Sequence, residues 1–411
     1  MKLRWFLSGT VREATDMVGH VDKLLNAQRD LLSPQALSSV ASALQATQSG
    51  IDEHVANDTL RARMVELEAA ANKWLKPYPN SGWRENIEVF LVAIAVAMAI
   101  RTFFLQPFKI PTGSMQPTLY GVEYEPMQAT PDQPAKSIPG GFGRFWDACV
   151  RGTFYHHLVA EADGELIGMG PGKTFLRFIN RQELIMQYHV GGQTYQKAHT
   201  LWFSPDEDQK FVQRANLYRG RICKKGEDIV RIAEIAGDHL FVDRFIYNFR
   251  PPDRGEIIVF KTKGIMHPGM KQDQFYIKRL VALGGENVSI GDDQHLRING
   301  VRLDASTPRF GSVYSFSAIP QENHYFGHVN ETIAQKVHRP GLADPLFLNE
   351  QTVFPVSARH YLVMGDNTLN SWDSRGWGSF PRENVIGKSF FVYWPVANHG
   401  ESRFGWGHTA K

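Results

Sequence analysis

Ile110-Pro-Thr-Gly-Ser-Met-Gln-Pro-Thr-Leu119 sets one serine, Ser114, midway between two prolines. Pro111 and Pro117 fix backbone angles on either side, and neither continues a helix. Gly113 carries no side chain, so a second backbone can approach closely beside the serine. The stretch is therefore a rigid turn, and the chain changes character across it. Helical periodicities precede it; short strands, glycines and prolines follow, the habit of a mainly β domain. A lone P-x-G-S-x-x-P is more often a solvated surface turn than a held nucleophile. The sequence on both sides separates the two.

Just upstream, Ile87 to Leu105 reads IEVFLVAIAVAMAIRTFFL, with only Glu88 and Arg101 charged. At about 1.5 Å per residue this is one bilayer thickness. The alternative is a buried core helix. A transmembrane helix is expected over 84–105, its charges near the ends where they reach the interface. Arg61, Arg63, Lys73, Lys76 and Arg84 lie before it, and only Arg101 and Lys109 close after. The positive-inside rule then puts the N-terminal side in the cytoplasm and residues 106–411 outside, in a single pass. Trp5-Phe6-Leu7 is too short an apolar run for a cleavable signal.

Residues 1–80 form a helical arm by this reading. Val18, Val21, Leu24, Leu25, Leu31 and Leu32 fall at helical spacing over about 11–32. Ser33-Pro34 caps and restarts a helix, predicted to run to about Leu75 with Gly50 weakening its middle. Such a helical hairpin either recruits a partner or is a self-packed extension; self-packing is expected.

The composition is that of a globular protein: 43% hydrophobic, 21% charged, net charge +3 over 411 residues. No basic stripe interleaved with aromatics occurs, so no nucleic-acid partner is expected. Cys149 and Cys223, the only cysteines, allow one disulfide or two separate thiols. Adjacent His156 and His157 would point to opposite faces of a strand, and no second ligand pair follows, so no metal site is expected. Residues 122–237 are less patterned, with a helix predicted near Arg144–Leu158.

Three later stretches carry more. Gly237-Asp-His-Leu-Phe-Val-Asp-Arg-Phe245 and Arg254-Gly-Glu-Ile-Ile-Val-Phe260 each read as a glycine turn followed by a core strand. Phe275-Tyr-Ile-Lys-Arg-Leu-Val-Ala-Leu-Gly-Gly285 is a strand with basic residues in its middle. Alternation sets Tyr276, Lys278 and Leu280 on one face and Ile277, Arg279 and Val281 on the other. Periodicity does not choose which basic group turns inward. Chemistry favours Lys278 as a base, because arginine stays charged. Met364-Gly-Asp-Asn-Thr-Leu-Asn-Ser-Trp-Asp-Ser-Arg-Gly-Trp-Gly378 is a polar, glycine-rich loop.

In this order, the span with Pro107-Phe108, IPTGSMQPTL, RGEIIVF, YIKRLVALGGE, MGDNTLNSWDSRGWG and FPRENVIGKSFFVYWP resemble the blocks of type I signal peptidases, the bacterial leader peptidases. They cover roughly a third of the chain, and as an ordered set they are specific. Residues 1–80, most of 122–237 and about 302–352 lie outside the resemblance, the last two as insertions. The resemblance implies a mainly β catalytic domain of antiparallel sheets, anchored by one transmembrane helix in the bacterial plasma membrane. It implies Ser114 as nucleophile and Lys278 as general base, with no cofactor and no metal. Ser371 matches the serine that orients the lysine. The Ser114 N–H and the Thr112 hydroxyl match the oxyanion donors, with threonine where many members have serine. Asp373 and Arg375 match a supporting ion pair. Phe108, Ile110, Met115, Leu119, Tyr276 and Ile277 match small apolar pockets that accept Ala-x-Ala signal sequences of preproteins. Thr368 and Leu369 depart from the common loop pattern, where charged residues are frequent, so a changed loop contact is expected. A narrow transfer-type peptidase and an inactive membrane-tethered scaffold are the competing readings.

Overall fold

The computed structural model describes residues 8–76, 81–130, 133–170, 173–175, 179–203, 210–315 and 326–410. The chain divides into two compact units, residues 1–95 and 96–411.

The first unit holds three packed helices, Gly9–Gln28, Pro34–Asp52 and Asn57–Trp74. Ser33 accepts the Ala36 N–H and Pro34 opens the second helix, as the sequence signals. The predicted continuous helix to Leu75 is broken after Asp52. His54 adopts a left-handed φ of 59°, and its Nδ1 lies 3.1 Å from the Ile51 carbonyl. The chain thereby folds back on itself. Gly50, read as a weak point, is buried where the third helix crosses. A Cβ there would sit 2.9 Å from Arg63 Nη1, which itself donates to the Ala46 carbonyl at 2.7 Å. Val18, Val21, Val40, Ile51, Leu60 and Leu67 form the shared core. The two-helix arm of the sequence reading is thus a three-helix bundle. A further helix, Ser81–Phe103, contains an unburied window, Asn86–Phe103, long and apolar enough to cross a bilayer.

The second unit is built mainly of antiparallel strands. Its central seven-stranded sheet runs in the order Leu105–Lys109, His239–Asp243, Val385–Trp394, Ile257–Lys261, Phe275–Leu283, His360–Met364, Phe380–Pro381. The strands expected at 237–245, 254–260 and 275–285 are all in it. Gly237 lets the Ile110 carbonyl pass: a Cβ there would lie 2.0 Å from that oxygen.

The two stretches expected to be insertions differ: the first carries its own sheets, and the second has two short helices among its described residues, Gly311–Tyr314 and Glu331–Lys336. The first contains Glu123–Pro126, Asp228–Ile235 and Thr153–Val159 in one sheet, and a long hairpin, Ile179–Val190 with Gln193–Phe203, in another. Tyr188, Phe211, Ile229 and Ile232 belong to its core. The helix predicted at 144–158 covers only Gly141–Trp146, with a wider turn to Arg151. Gly152, at φ 64°, ends it, and the apolar alternation that follows is a strand paired to Asp228–Ile235. His156 and His157 lie on that strand against Glu234 and Asp228, at 2.9 and 2.7 Å. Cys149 is exposed and Cys223 buried, and both are free thiols. The second insertion packs Phe310, Val313 and Phe347 onto Val281, Leu362 and Met364 of the central sheet.

Arg279, at 1% exposure, forms an ion pair with Asp366 at 2.6 Å, and Thr118 donates to the same carboxylate at 2.5 Å. Removing one partner of a buried pair strands the other's charge. Asp366→Ala should therefore cost about 3–5 kcal/mol of stability, read as a large fall in the thermal midpoint of the solubilised chain. A fall of only a degree or two would show that Arg279 is adequately held by carbonyls alone.

Candidate active site

Lys278 is the fourth residue of the strand Phe275–Leu283, opposite Ile258 on the neighbouring strand. The strand begins exposed at Phe275 and is buried from Lys278 to Ala282. Alternation holds: Tyr276 and Leu280 share an apolar cluster with Phe260 and Trp377, and the Lys278 ammonium lies 5.9 Å from the Tyr276 ring centre. Arg279 turns to the opposite face and to Asp366. Both basic residues are inward, so the choice left open by periodicity is resolved by their partners. Arg279 has a carboxylate; Lys278 has a hydroxyl.

That hydroxyl belongs to Ser114. Lys278 Nζ lies 2.6 Å from Ser114 Oγ, and both residues are 5% exposed. Ser114 sits in a short helical turn, Gly113–Met115. Met115 and Leu119, fully buried, root the turn in an apolar cluster with Ile110, Leu240, Val242, Ile257, Val259 and Val392. The loop after Met364 holds it from the other side. Asn367 donates its backbone N–H to the Ser114 carbonyl at 3.1 Å and its side-chain Nδ2 to the Gly113 carbonyl at 3.0 Å. Gly365 makes that approach feasible: a Cβ there would fall 2.4 Å from the Ser114 carbonyl oxygen and 2.2 Å from Ser371 Oγ.

Burial lowers the Lys278 pKa to about 8; the Arg375 charge adds to the effect, and Asp373 and Asp366 oppose it. At pH 7 about a tenth of such amines are neutral, against roughly 0.03% for an unshifted lysine. A neutral amine at this distance can take the hydroxyl proton and leave a nucleophile. Asp373 is itself quieted. Burial pushes its carboxyl upward, but the Arg375 guanidinium at 2.9 Å and the Gly365 N–H outweigh this and hold it below its usual range.

The other expected site residues are placed as follows. Thr112 is exposed, and its hydroxyl donates to Ser114 Oγ at 3.4 Å. Ser371 is buried beside Gly365 and its hydroxyl helps hold the Asp373 carboxylate, while the Lys278 amine bonds to Ser114. Asp373 and Arg375 pair as a unit within the loop. Phe108 and Ile277 are half-buried and pack on the cluster that contains Ile110, Met115 and Leu119. Those three are core beneath the turn, forming a floor. Tyr276 lies in the other cluster, away from them. The sequence reading missed Asn367 as the clamp on the serine turn and Asp366 as the partner of Arg279. Both lay inside a stretch quoted for its polarity, and only three-dimensional packing assigns them.

A hydroxyl joined to a buried amine, on an interior strand of an antiparallel sheet, is a nucleophile site of the serine hydrolase kind. The chain belongs to the signal peptidase family, peptidase S26, whose model matches residues 83–132 and 233–394, just over half of it. It is 31% identical to a signal peptidase I of Leptolyngbya laminosa, over 40% of this chain and 64% of that protein. It is 30% identical to a signal peptidase I of Aquifex aeolicus, over 39% of this chain and 70% of that protein. A solved signal peptidase I from Enterococcus faecalis, 27% identical, matches 34% of this chain and 97% of its own, with a TM-score of 0.23.

The folded-state pKa of Lys278 lies below its unfolded value, so folding disfavours the ammonium. That cost is absent above about pH 10.4, grows as pH falls, and is complete below about pH 8. Lys278→Met should therefore stabilise the fold at pH 7 by up to about 3 kcal/mol, with the gain shrinking to nothing by pH 10.5. Equal thermal midpoints for the two proteins at pH 7 would mean the amine is not desolvated.

Proposed function

We propose that this chain is a membrane-anchored serine endopeptidase that removes N-terminal signal peptides from preproteins. The observation that carries the reading is the Lys278 amine, 2.6 Å from the Ser114 hydroxyl and out of water, in a member of the signal peptidase family. The chain spans under two thirds of the Leptolyngbya relative, and the shared part includes neither the helical bundle nor most of the first insertion.

In the proposed cycle Ser114 Oγ attacks the scissile carbonyl carbon while Lys278 Nζ accepts the hydroxyl proton. The oxyanion is held by the Ser114 N–H and the Thr112 hydroxyl, an interaction worth a few kcal/mol where it has been measured in related chemistry. The tetrahedral species collapses, the C–N bond breaks, and the lysine gives its proton to the departing amine of the mature protein. An acyl-enzyme remains on Ser114. Water, deprotonated by the same amine, then attacks the ester, and the signal peptide leaves as a carboxylic acid. Ser371, Asp373 and Arg375 keep the loop beside the lysine. The substrate lies extended along a strand edge, pairing through its backbone. The apolar floor under the turn, with Phe108 and Ile277 at its rim, would admit small side chains such as those of Ala-x-Ala. The helix Ser81–Phe103 would span the bacterial plasma membrane with the helical bundle in the cytoplasm, as the basic residues before it favour.

The test is incubation of the detergent-solubilised chain with a preprotein whose signal ends in Ala-x-Ala. Ser114→Ala and Lys278→Ala should each abolish cleavage without altering folding. Lys278→Arg should be equally inactive, since a guanidinium does not give up its proton. The wild-type rate should rise about tenfold per pH unit below pH 8 and level off above it. Near-normal turnover by Lys278→Ala at neutral pH would refute the assignment of the base.

A further inference from the structure

The second insertion does more than fill space beside the sheet. Its segment 326–334 lies directly on the loop that clamps the serine turn. Val329 donates its backbone N–H to Thr368 Oγ1 at 3.1 Å, where Arg375 Nη1 also donates at 2.7 Å. Arg375 Nη2 reaches the Thr368 carbonyl at 2.8 Å. The next side chain, Leu369, is buried in a separate apolar cluster made with Phe326, Val329, Ile333 and Ala334, all from the insertion. The residue before them is Asn367, which bonds to the carbonyls of both Gly113 and Ser114. Three consecutive residues therefore join the insertion to the nucleophile.

The segment is itself fixed. Asn330 caps the helix Glu331–Lys336 by accepting the Ile333 N–H, and its Nδ2 donates to the Ile290 carbonyl and to Asp292. Glu331 accepts the backbone N–H groups of Gly341 and Ala343. His328 donates its N–H to the Gln294 carbonyl, and its ring pairs with the Tyr314 hydroxyl. A segment anchored on three sides can hold what it touches.

We infer that residues 326–334 are a positioning element for the Ser114–Lys278 pair, acting through Thr368 and Leu369 on Asn367. The inference rests on the proteolytic reading above. Its consequence is kinetic. If the loop loosens, Asn367 no longer fixes the serine turn, and water gains access to Lys278, whose charged neighbours are Asp373, Arg375 and Asp366.

The test uses Thr368→Val, Thr368→Ser and Ile333→Ala in the full chain, with the preprotein assay and amide hydrogen exchange of residues 365–371. Thr368→Val keeps the shape and removes the acceptor shared by Val329 and Arg375; Thr368→Ser restores it. Thr368→Val and Ile333→Ala should lower kcat roughly ten- to a hundredfold with KM little changed, since small misplacements act on the reacting geometry. The acidic limb of their rate profiles should move to higher pH, and exchange in 365–371 should speed up. Thr368→Ser should behave as wild type. Variants that lose thermal stability yet keep kcat, the acidic limb and exchange would overturn the inference, leaving the insertion as packing alone. A wild-type chain that cleaves nothing would defeat the proteolytic reading separately, and the exchange comparison would still decide whether the segment holds the loop.

Discussion

The structure depends on keeping one amine away from water while surrounding it with no carboxylate free to claim it. Two basic residues are neighbours on the strand Phe275–Leu283, and their fates differ because their surroundings do. Arg279 faces Asp366 at 2.6 Å and stays charged. Lys278 faces a hydroxyl, an aromatic ring and apolar strand neighbours. Two carboxylates do lie near it, and an unpaired one at close range would stabilise the ammonium. Each is already committed, Asp366 to Arg279 and Asp373 to Arg375. Asp373 and Asp366 still raise the lysine's pKa and Arg375 lowers it, and burial outweighs them.

Much of this was legible before folding. Two prolines and a glycine around Ser114 announce a rigid turn, and the strands at 237–245, 254–260 and 275–285 follow from alternation and glycine turns. The choice between Lys278 and Arg279 was not legible from period alone, because both sides of the strand are covered and both residues turn inward. Nor was the break after Asp52. His54 takes a left-handed conformation where the helix ends, and the Val55 N–H donates back to the Gly50 carbonyl at 3.2 Å, a helix stop usually marked by glycine and here carried by histidine. The error at 144–158 comes from pairing at longer range. The stretch has an apolar pattern compatible with helix or strand, and pairing with Asp228–Ile235 selects the strand.

Loop residues were harder still. Asn367, Thr368 and Leu369 sit in a stretch whose composition says only that it is polar and turn-rich. Each acquires its role from a different partner: the serine turn for Asn367, Arg375 and Val329 for Thr368, the insertion's cluster for Leu369. An isolated loop of this kind would pay heavily in conformational entropy to hold one shape. Here the order comes from outside the loop, where Leu369 packs with Phe326, Val329, Ile333 and Ala334.

The same logic explains why the floor of the site is core. Ile110, Met115 and Leu119 are removed from solvent, so the turn bearing Ser114 is fixed from below by the packing that stabilises the sheet. Replacing one of them with a smaller residue would open a cavity directly under the nucleophile, where the cost in stability and the loss of geometry arise from one displaced contact. From above, Asn367 and Gly365 press on the carbonyl of the same residue. The serine is held between a hydrophobic layer and a hydrogen-bonded one, with its carbonyl bonded to Asn367 and its hydroxyl meeting the Lys278 amine.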